Sequence, residues 1–482
     1  MNTAVIYTIL SRLFFGGGLL LLFPALTALF YRESLIPFCA TAALSLVLAF
    51  LFRKKGLPSV KDMNARECLA VISLSWLSIS FLYLFPYLLS GLLSPLDAIV
   101  ESISGLTGTG GTVFSDVGII PKSLLLFRSL TLWVGGLGII VIFTALFPQV
   151  SKGSARLMHI ESTNFSSSRA VPRIKEMAKA LFIVYFLFTA ISTLTYFLLG
   201  MNFFDALNHG LSTISTGGFS TRNESIGAYD GTLLKMAVFF FMVISSANFG
   251  LYVAAWHRGI SLIFKDAEFK VYLAIVMIAG LVITGDLLTS GSLPLPAALT
   301  EAFFSAGAFA STTGFISCDF SYWPAFSQFI LLLIFLVGGC GGSTAGGLKV
   351  FRLILLVKSL RILLRQKLHP QEILQVGMGK EAFHTDTLLH IFYFFFIYMF
   401  FIFLWALLMI LSGLDIPHAL SFSMATMSNT GVVLGQLGSF PHWADLPAGT
   451  KIIACISMLM GRLESFTLLF ICFPSFWRKN TW

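Results

Sequence analysis

The sequence predicts an all-α polytopic membrane protein, and three observations lead to that class. The 482 residues are 57% hydrophobic and 11% charged, with a mean hydropathy of +0.88, whereas soluble domains carry about 25% charged residues. Long apolar runs recur along the whole chain, and a helix of about 20 apolar residues crosses about 30 Å of hydrocarbon. Lys and Arg collect between alternate runs, which is typical of the loops on one side of a membrane.

Ten apolar runs are candidate membrane spans, at residues 4–31, 36–52, 68–90, 122–147, 177–200, 231–256, 271–289, 325–365 (broken), 388–412 and 450–477. The first run is too long for a signal peptide, has no basic leader and contains Arg12, so we expect a retained span. The six Cys fall mostly in apolar runs without metal-type spacing. We therefore expect them to be small buried side chains rather than disulfides or metal ligands.

The formal charge of +9 is interpreted as a topology signal, and no nucleic-acid partner is expected. Most Lys and Arg lie on one side of the predicted spans, in segments 53–66, 152–179, 258–270 and 349–380 and at Arg478 and Lys479. The positive-inside rule makes this side cytoplasmic and places both termini inside.

Four segments repeat one pattern: "AIVESISGLTGTGGT" (98–112), "ALNHGLSTISTGGFS" (206–220), "AFFSAGAFASTTGFI" (302–316) and "ALSFSMATMSNTGVV" (419–433). Each has Gly twelve positions after its first Ala, a hydroxyl residue three positions before that Gly, and the same place between two long spans. Gly and Thr are common in membrane helices, but four matches in register indicate an internal repeat.

The repeat predicts five units in the chain. Residues 1–67 form two leading transmembrane helices, and four pore repeats follow at 68–150, 151–260, 261–368 (with a broken second helix) and 369–482. The stretch 98–106 covers only about 14 Å as a helix, which is too short to cross. Non-helical backbone at membrane depth survives where protein buries it or where it lines an aqueous cavity. We therefore expect four span–pore-loop–span units around one central pore.

The pattern favours a cation filter. Four half-helix C-termini that meet at the membrane centre favour positive charge. Gly adopts φ > 0 without strain, which allows a ring of carbonyls to replace an ion's hydration shell. The predicted filter residues are Thr107, Thr109, Gly110, Gly111, Ser215, Thr216, Gly217, Gly218, Ser311, Thr312, Thr313, Gly314, Ser428, Asn429, Thr430 and Gly431.

Acidic residues stand beyond the filter positions, not at them. Neutral oxygens suit a monovalent cation better than Ca²⁺ or Mg²⁺, whose protein sites usually include carboxylates. Five acids follow the loops: Asp116, Glu224, Asp230, Asp319 and Asp445. They either concentrate cations at the pore mouth or are ordinary solvated loop charges.

A second glycine cluster, "LVGGCGGSTAGGLKVFR" (336–352), falls inside a predicted span. Gly costs about 1 kcal/mol in a helix interior relative to Ala, so we expect a break there. A small-residue packing face is the alternative, and a phosphate loop lacks the Gly-Lys-Ser/Thr it needs. We interpret the segment as a flexible gate across the pore, formed by Gly338, Gly339, Gly341, Gly342, Ser343, Thr344, Gly346 and Gly347.

Arg462 lies near the middle of the last apolar run. An Arg at the bilayer centre costs about 2.5 to 3.5 kcal/mol on insertion scales, so it must face protein or water. In the pore it would repel a cation, and its donors could hold carbonyls or hydroxyls of the 338–347 segment, Ser343 and Thr344 among them. An ion pair is the alternative, for which Glu464 is poorly placed because residues two apart on a helix do not face each other.

Catalysis has little support in the sequence. His209, His257 and the other His form no ligand pair at helical spacing. Glu101 and Glu301 lie in the predicted half-helices with neither a nucleophile nor a metal partner, so we expect them to be buried or to face the mouth. No enzyme activity is predicted.

The chain resembles the Trk/Ktr/HKT potassium transport superfamily in the motifs "TGTGGTV", "STGGFST", "STTGF" and "SNTGV". The two leading spans and "GRLESFT" are most similar to the bacterial TrkH/TrkG branch. The resemblance covers nearly the whole chain and implies K⁺ uptake across the bacterial cytoplasmic membrane. It also implies filter glycines at Gly110, Gly218, Gly314 and Gly431, a gating loop at 338–347 and a pore arginine at Arg462.

The first filter position is Gly110 here, whereas Ser at that position accompanies Na⁺ preference in plant members. The chain departs from its own pattern at Gly217, where the other loops have Thr, and at Asn429. The resemblance further implies a homodimer and a cytoplasmic TrkA-type regulatory ring that binds the nucleotide (NAD or ATP). K⁺ is then the transported substrate, and no cofactor is expected on this chain.

Two other classes stay open. An ion-coupled secondary transporter, moving K⁺ with H⁺ or Na⁺, also has broken helices, although such folds often show two inverted halves. An intramembrane enzyme is more distant. The basic segments 152–179 and 349–380 could meet acidic lipid heads or a soluble subunit.

Overall fold

A computed structural model describes residues 3–56, 65–141, 170–369, 377–378, 381–382, 385–433 and 442–477. The predicted basic residues Lys61, 152–169, Arg478 and Lys479 lie outside these ranges. The predicted unit boundaries, from 67/68 to 368/369, stay predictions. The described chain is all-α, as predicted, apart from two-residue strands β1 (Gly377–Met378) and β2 (Glu381–Ala382), which pair antiparallel.

The helices of the first half are α1 (Thr3–Leu20), α2 (Leu22–Tyr31), α3 (Ile36–Lys55), α4 (Ala65–Leu89), α5 (Pro95–Thr107), α6 (Lys122–Val141), α7 (Ala170–Leu198), α8 (Phe203–Ile214), α9 (Thr232–Ser245) and α10 (Phe249–Arg258). Those of the second half are α11 (Ser261–Lys265), α12 (Ala267–Thr289), α13 (Leu295–Ala310), α14 (Ala325–Val337), α15 (Val350–Leu368), α16 (Thr385–Leu411), α17 (Ile416–Met427), α18 (Ala448–Arg462), α19 (Glu464–Cys472) and α20 (Pro474–Trp477).

Seven described helices are long and apolar enough to cross a membrane, or eight if the bent pair α9–α10 counts as one span. The seven are the joined helices α1–α2 together with α3, α4, α6, α7, α12 and α16, and each overlaps one predicted span. The remaining three predicted spans are interrupted. A loop separates α14 from α15, and Leu463 separates α18 from α19.

The predicted span at 231–256 is strongly bent, because α9 and α10 meet at 89°. The Asn248 side chain accepts a hydrogen bond from Gly250 N at 2.8 Å and so caps α10 as a new helix. The hydroxyls of Ser245 and Ser246 donate back to the Met242 carbonyl at 2.9 Å, a pattern that bends helices.

Four short helices, α5, α8, α13 and α17, begin at one end of the bundle and stop inside it. Ser94 and Asn202 cap α5 and α8 by accepting hydrogen bonds from Asp97 N and Asp205 N. At 12 to 16 residues each, they reach about 18 to 24 Å, less than a bilayer core. All residues from 101 to 107 in α5 and from 208 to 214 in α8 are buried, so these C-terminal ends lie in the protein core.

Candidate cation pathway

All four half-helices end with the same backbone conformation. The residue two positions before each predicted filter Gly is left-handed: φ is 75° at Gly108, 53° at Thr216, 56° at Thr312 and 54° at Asn429. The next N–H then bonds a carbonyl five residues back in three repeats, as in Thr109 N to Ser104 O at 2.9 Å. This is the geometry of a Schellman ending. Three of the four left-handed residues are not Gly, which is why the sequence did not reveal this position.

The four predicted filter glycines form a closed ring of backbone. A methyl group added to Gly110 would overlap the Gly217 carbonyl, and one on Gly218 would overlap the Thr313 carbonyl. On Gly314 it would lie 3.0 Å from Thr430 Cγ2, and on Gly431 it would strike the backbone of Gly110 and Gly111. Each loop therefore contacts the next in chain order, and the fourth contacts the first.

Glycine is required at the four ring positions for two different physical reasons. Gly110, Gly218 and Gly314 have φ of 72°, 80° and 73°, as the filter hypothesis expects. Gly431 is not in the left-handed region. That position needs glycine because of the close approach of the Gly110 backbone rather than because of its φ.

The predicted hydroxyls that precede the ring brace the helix ends. Thr107 Oγ1 donates to Ile103 O at 2.7 Å and lies 2.8 Å from Thr109 Oγ1. In repeat 3 the hydroxyls of Ser311 and Thr313 lie 2.7 Å apart. In repeat 2 Ser215 Oγ donates to Leu211 O at 2.8 Å. These hydrogen bonds hold the ends of the half-helices in place.

The fourth loop is tied to the first by its departure from the pattern. Asn429 Nδ2 donates to Met458 O at 2.8 Å and to Thr109 Oγ1 at 3.2 Å, which no Thr at that position could do. Ser428 Oγ lies 3.2 Å from the Tyr398 hydroxyl. The buried Thr430 hydroxyl has no hydrogen-bond partner among the described residues.

A cavity of about 750 Å³ opens above the ring, and Gly110, Gly218, Gly314 and Gly431 all line it. Glu224 and Asp319 line it as well, whereas Asp116, Asp230 and Asp445 are not among its described lining residues.

Asp116 accepts from Asn223 Nδ2 and from Gly118 N, both at 2.8 Å. These bonds to Asn223 and Gly118 hold the pKa of Asp116 below its ordinary value. The Trp443 ring packs against Gly111, since a methyl on Gly111 would overlap that ring.

The polar residues of the half-helices have structural partners. Glu101 is fully buried, accepts from Arg128 Nε at 2.7 Å and accepts from Val113 N at 3.0 Å. His209 bridges the Asp205 carbonyl at 2.8 Å and Ser220 Oγ at 2.9 Å. These contacts fasten each half-helix to the chain that leaves its filter loop. The expectation that Glu101 is buried is confirmed.

Two ion pairs join neighbouring repeats near the outer end. Lys235, the fourth residue of α9, lies 2.6 Å from Glu301 of α13. Lys451, the fourth residue of α18, lies 2.7 Å from Asp97 of α5. The fourth residues of α6 and α14 are Leu125 and Gln328. The seams between repeats 2 and 3 and between repeats 4 and 1 thus carry an ion pair.

Residues 338–349 form a loop that interrupts the second span of repeat 3, at the predicted gate. Gly338, Gly342, Gly347 and Lys349 have positive φ. The loop interlocks with the bend of repeat 2, because Cys340 N donates to Ser246 O at 2.9 Å and Phe249 N donates to Gly342 O at 3.2 Å. A methyl on Gly339 would lie 3.0 Å from Ser246 O, so this junction also needs glycine.

The loop lies against the inner side of the filter. Gly346 N donates to Thr312 Oγ1 at 2.8 Å, and Thr344 Oγ1 donates to Ile214 O at 3.2 Å. A methyl on Gly346 would overlap the Ser428 carbonyl. The Ser343 hydroxyl donates to Cys340 O at 2.6 Å, a bond within the loop itself. The loop therefore touches the half-helix ends of repeats 2, 3 and 4.

Arg462 makes the contact with the loop that the sequence predicts. Its Nη1 donates to Thr344 O at 2.7 Å and its Nη2 donates to Gly135 O at 3.1 Å. The side chain is 4% exposed, and a methyl on Gly108 would lie 3.5 Å from its Cζ, so it sits beneath the first filter loop. Glu464 forms an ion pair with Arg352 instead.

A small cavity of about 20 Å³ lies beside the loop, where Gly346 and Gly347 of the loop meet Arg462, Arg352 and Glu464. A cavity needs about 10 to 15 Å³ to hold one water, so this one is too small for a hydrated cation.

Two acids of α12 that the sequence did not single out brace the interrupted helix at both ends. Glu268 accepts from Gly341 N at 2.7 Å and from Phe351 N at 3.0 Å, so it joins the loop to the start of α15. Asp286 accepts from Ser327 N at 3.1 Å and from Ser327 Oγ at 2.6 Å near the start of α14. The signal in the sequence that could have identified them is a carboxylate near each end of the apolar helix α12.

Long apolar spans, four half-helices that end inside the bundle and a shared glycine ring together define a polytopic membrane protein. The chain belongs to the TrkH cation transport family, whose model, described as a cation transport protein, matches residues 33–478. The resemblance predicted from the sequence is thus confirmed.

Relatives match over nearly their full length. The chain is 34% identical to the Trk system potassium uptake protein TrkH of Halomonas elongata, covering 99% of this chain and 100% of that protein. It is 31% identical to the Trk system potassium uptake protein TrkG of Escherichia coli, with 95% of each covered. The crystal structure of the potassium transporter TrkH from Vibrio parahaemolyticus superposes with a TM-score of 0.91 at 32% identity, covering 99% of this chain and 100% of that one.

Proposed function

We propose that this protein takes up potassium ions across the bacterial cytoplasmic membrane through a channel-like pore with a filter of four glycine loops. The observation that carries the proposal is the closed ring of Gly110, Gly218, Gly314 and Gly431 at the floor of the outer cavity. The names of the relatives, all Trk potassium uptake proteins, support K⁺ as the substrate.

The filter would bind K⁺ through neutral oxygens. Four helix C-termini converge below the outer cavity, and each contributes partial negative charge. Backbone carbonyls of the ring would replace water around the ion. The hydroxyls at Thr107, Ser215, Ser311 and Ser428 would hold the loops in place, in keeping with their contacts to the half-helices and to Tyr398.

The loop 338–347 would close the pore below the filter. It lies against three half-helix ends, and Arg462 holds it while adding a positive charge to the cation's path. A methyl on Gly346 would overlap the Ser428 carbonyl, so the loop lies directly against the end of the fourth half-helix, which supports a closed arrangement. Conduction would require the loop to leave, which breaks the bonds from Arg462 to Thr344 O and from Gly341 N to Glu268.

The sidedness and assembly follow from the charge pattern and the resemblance. Both termini would face the cytoplasm. A homodimer with one pore per chain, and a cytoplasmic TrkA-type ring that binds NAD or ATP, would supply regulation. The basic faces near 349–380 would meet that ring or acidic lipid heads.

Rubidium flux in proteoliposomes tests the proposal. Uptake driven by the rubidium gradient alone, with K⁺ competing and Na⁺ competing poorly, is the expected result. Strict dependence on a second gradient of H⁺ or Na⁺ would instead establish the ion-coupled secondary transporter.

A further inference from the structure

We propose that the groove between α1 and α3 is a binding site for one anionic phospholipid, whose phosphate contacts Arg12 and Arg53. The groove has a volume of about 850 Å³. Its lining residues include both arginines and the side chains of Thr8, Ser11 and Phe15 on α1 and of Leu46 and Phe50 on α3. None of the described lining residues is acidic.

The groove lies at the end of the bundle away from the outer cavity. Glu33, in the turn between α2 and α3, accepts from Lys122 N at 2.7 Å and from Ser123 N at 2.9 Å. The start of α6 follows the first filter loop and belongs to the outer end, so the turn lies there too. The first half of α1 and the last turn of α3 therefore lie at the opposite membrane surface.

Arg12 lies at the depth of the lipid phosphates. The joined helices α1 and α2 cross from the outer turn at Tyr31, and about 30 Å of hydrocarbon takes about 20 residues. Counting back from Tyr31 reaches the boundary near Ser11. Arg53, three residues from the end of α3, is about one turn further into the headgroup layer.

Among the described residues, the guanidinium groups of Arg12 and Arg53 have no hydrogen-bond or ion-pair partner. The neighbouring Lys54 lies over the Phe50 ring at 4.5 Å. A guanidinium at the edge of the hydrocarbon is costly when it is left without an anion. Its fork of donors matches the oxygens of a phosphate.

The spacing of the two helices is fixed in advance. Ser11 Oγ donates to Ala49 O at 2.7 Å and Ser45 Oγ donates to Phe14 O at 2.6 Å. A side chain at Gly56 would crowd Thr8, with Thr8 Oγ1 2.7 Å away. The helices thus hold the two arginines at a set separation without a ligand. Binding of a phosphate there therefore loses little conformational entropy to ordering of the two helices.

The apolar walls select a lipid rather than a free anion. Phe15, Leu46 and Phe50 are 53%, 43% and 59% exposed on the surface that faces the bilayer. An acyl chain lying along them would be buried together with its headgroup. Basic pockets between helices on the cytoplasmic side are known to hold anionic headgroups.

Native mass spectrometry of the full-length protein tests the site, with dioleoylphosphatidylglycerol and dioleoylphosphatidylcholine as probes. We expect one tightly retained phosphatidylglycerol, and about tenfold weaker retention in R12Q/R53Q. The control is Arg32→Gln, which makes the same kind of substitution once, at the other end of the same hairpin, and should bind like wild type. Thermal melting in phosphatidylcholine alone verifies that the double variant folds.

Each other outcome overturns the proposal. Equal retention of the two lipids, or wild-type retention by R12Q/R53Q, shows that the arginines do not select an anionic headgroup. Displacement by millimolar inorganic phosphate shows a free-anion site. A changed oligomeric mass in R12Q/R53Q, without a change in lipid retention, shows that a second copy covers the groove.

Discussion

The glycine ring and the loop beneath it are held by different kinds of contact. In the ring, backbone meets backbone: Gly110 faces the Gly217 carbonyl, and Gly431 faces the backbone of Gly110. The loop 338–349 is joined by backbone bonds to the bend between α9 and α10, but its bonds to the end of α13, to α18 and to α12 involve the side chains of Thr312, Arg462 and Glu268. Each of these side-chain bonds can be broken singly, whereas a backbone contact of the ring cannot be released without reshaping the ring. The comparison indicates a rigid ring above a loop whose contacts to α12, α18 and the end of α13 are more easily released.

The largest effect is expected from Gly110→Ser, because any side chain there overlaps the next loop. The ring would spread, and discrimination between K⁺ and Na⁺ should fall by about tenfold or more. Competition of each cation with rubidium uptake measures this. Gly285→Ser is the control, since a methyl on Gly285 meets no atom within 4 Å. Unchanged selectivity in the Gly110 variant would remove that residue from the filter.

Deleting residues 339–346 should raise basal rubidium flux by about tenfold while selectivity stays near wild type, because the obstruction is gone and the ring remains. Flux and competition measured on the same proteoliposomes separate the two effects. A folded deletion variant with wild-type or lower flux would favour a packing role for the glycine cluster.

Arg462→Ala should raise flux by roughly fivefold, through the lost positive charge and the lost bond to Thr344 O. Arg462→Lys keeps the charge but not the forked donors, so it should fall between the alanine variant and wild type. Size-exclusion chromatography verifies the assembly. If the alanine variant elutes normally and passes no more rubidium than wild type, Arg462 is a structural residue.

The smallest effect is expected from Glu268→Ala, about two- to threefold more flux, because the N–H groups of Gly341 and Phe351 lose the acceptor that they share. Asp286→Ala is its matched control on the same helix, because Asp286 is bonded to Ser327, away from the loop. Equal flux from the two variants would show that Glu268 braces the fold rather than the loop.

The sequence revealed those elements whose signal is local. Seven continuous spans, the four half-helices and the break at 338–347 follow from hydropathy and glycine patterns. Ser246–Asn248 contains neither Gly nor Pro, and the bend there depends on bonds to residues 340–344, about ninety positions away. The bracing role of Glu268 is likewise set by tertiary contacts, which no local pattern records. Thr216 and Thr312 are left-handed within local helix endings, but neither is the Gly that usually marks such a position in a sequence.

The two ion pairs between neighbouring repeats give the outer rim a shape that sequence symmetry conceals. A ring of four identical subunits has to join every neighbour in the same way. At this rim the ion pairs Lys235–Glu301 and Lys451–Asp97 join two seams. Repeats 1 and 2 are joined instead by Asn223, which accepts from Val117 N and donates to Asp116. The described seams of the rim are therefore not equivalent, although the four segments of sequence repeat one pattern.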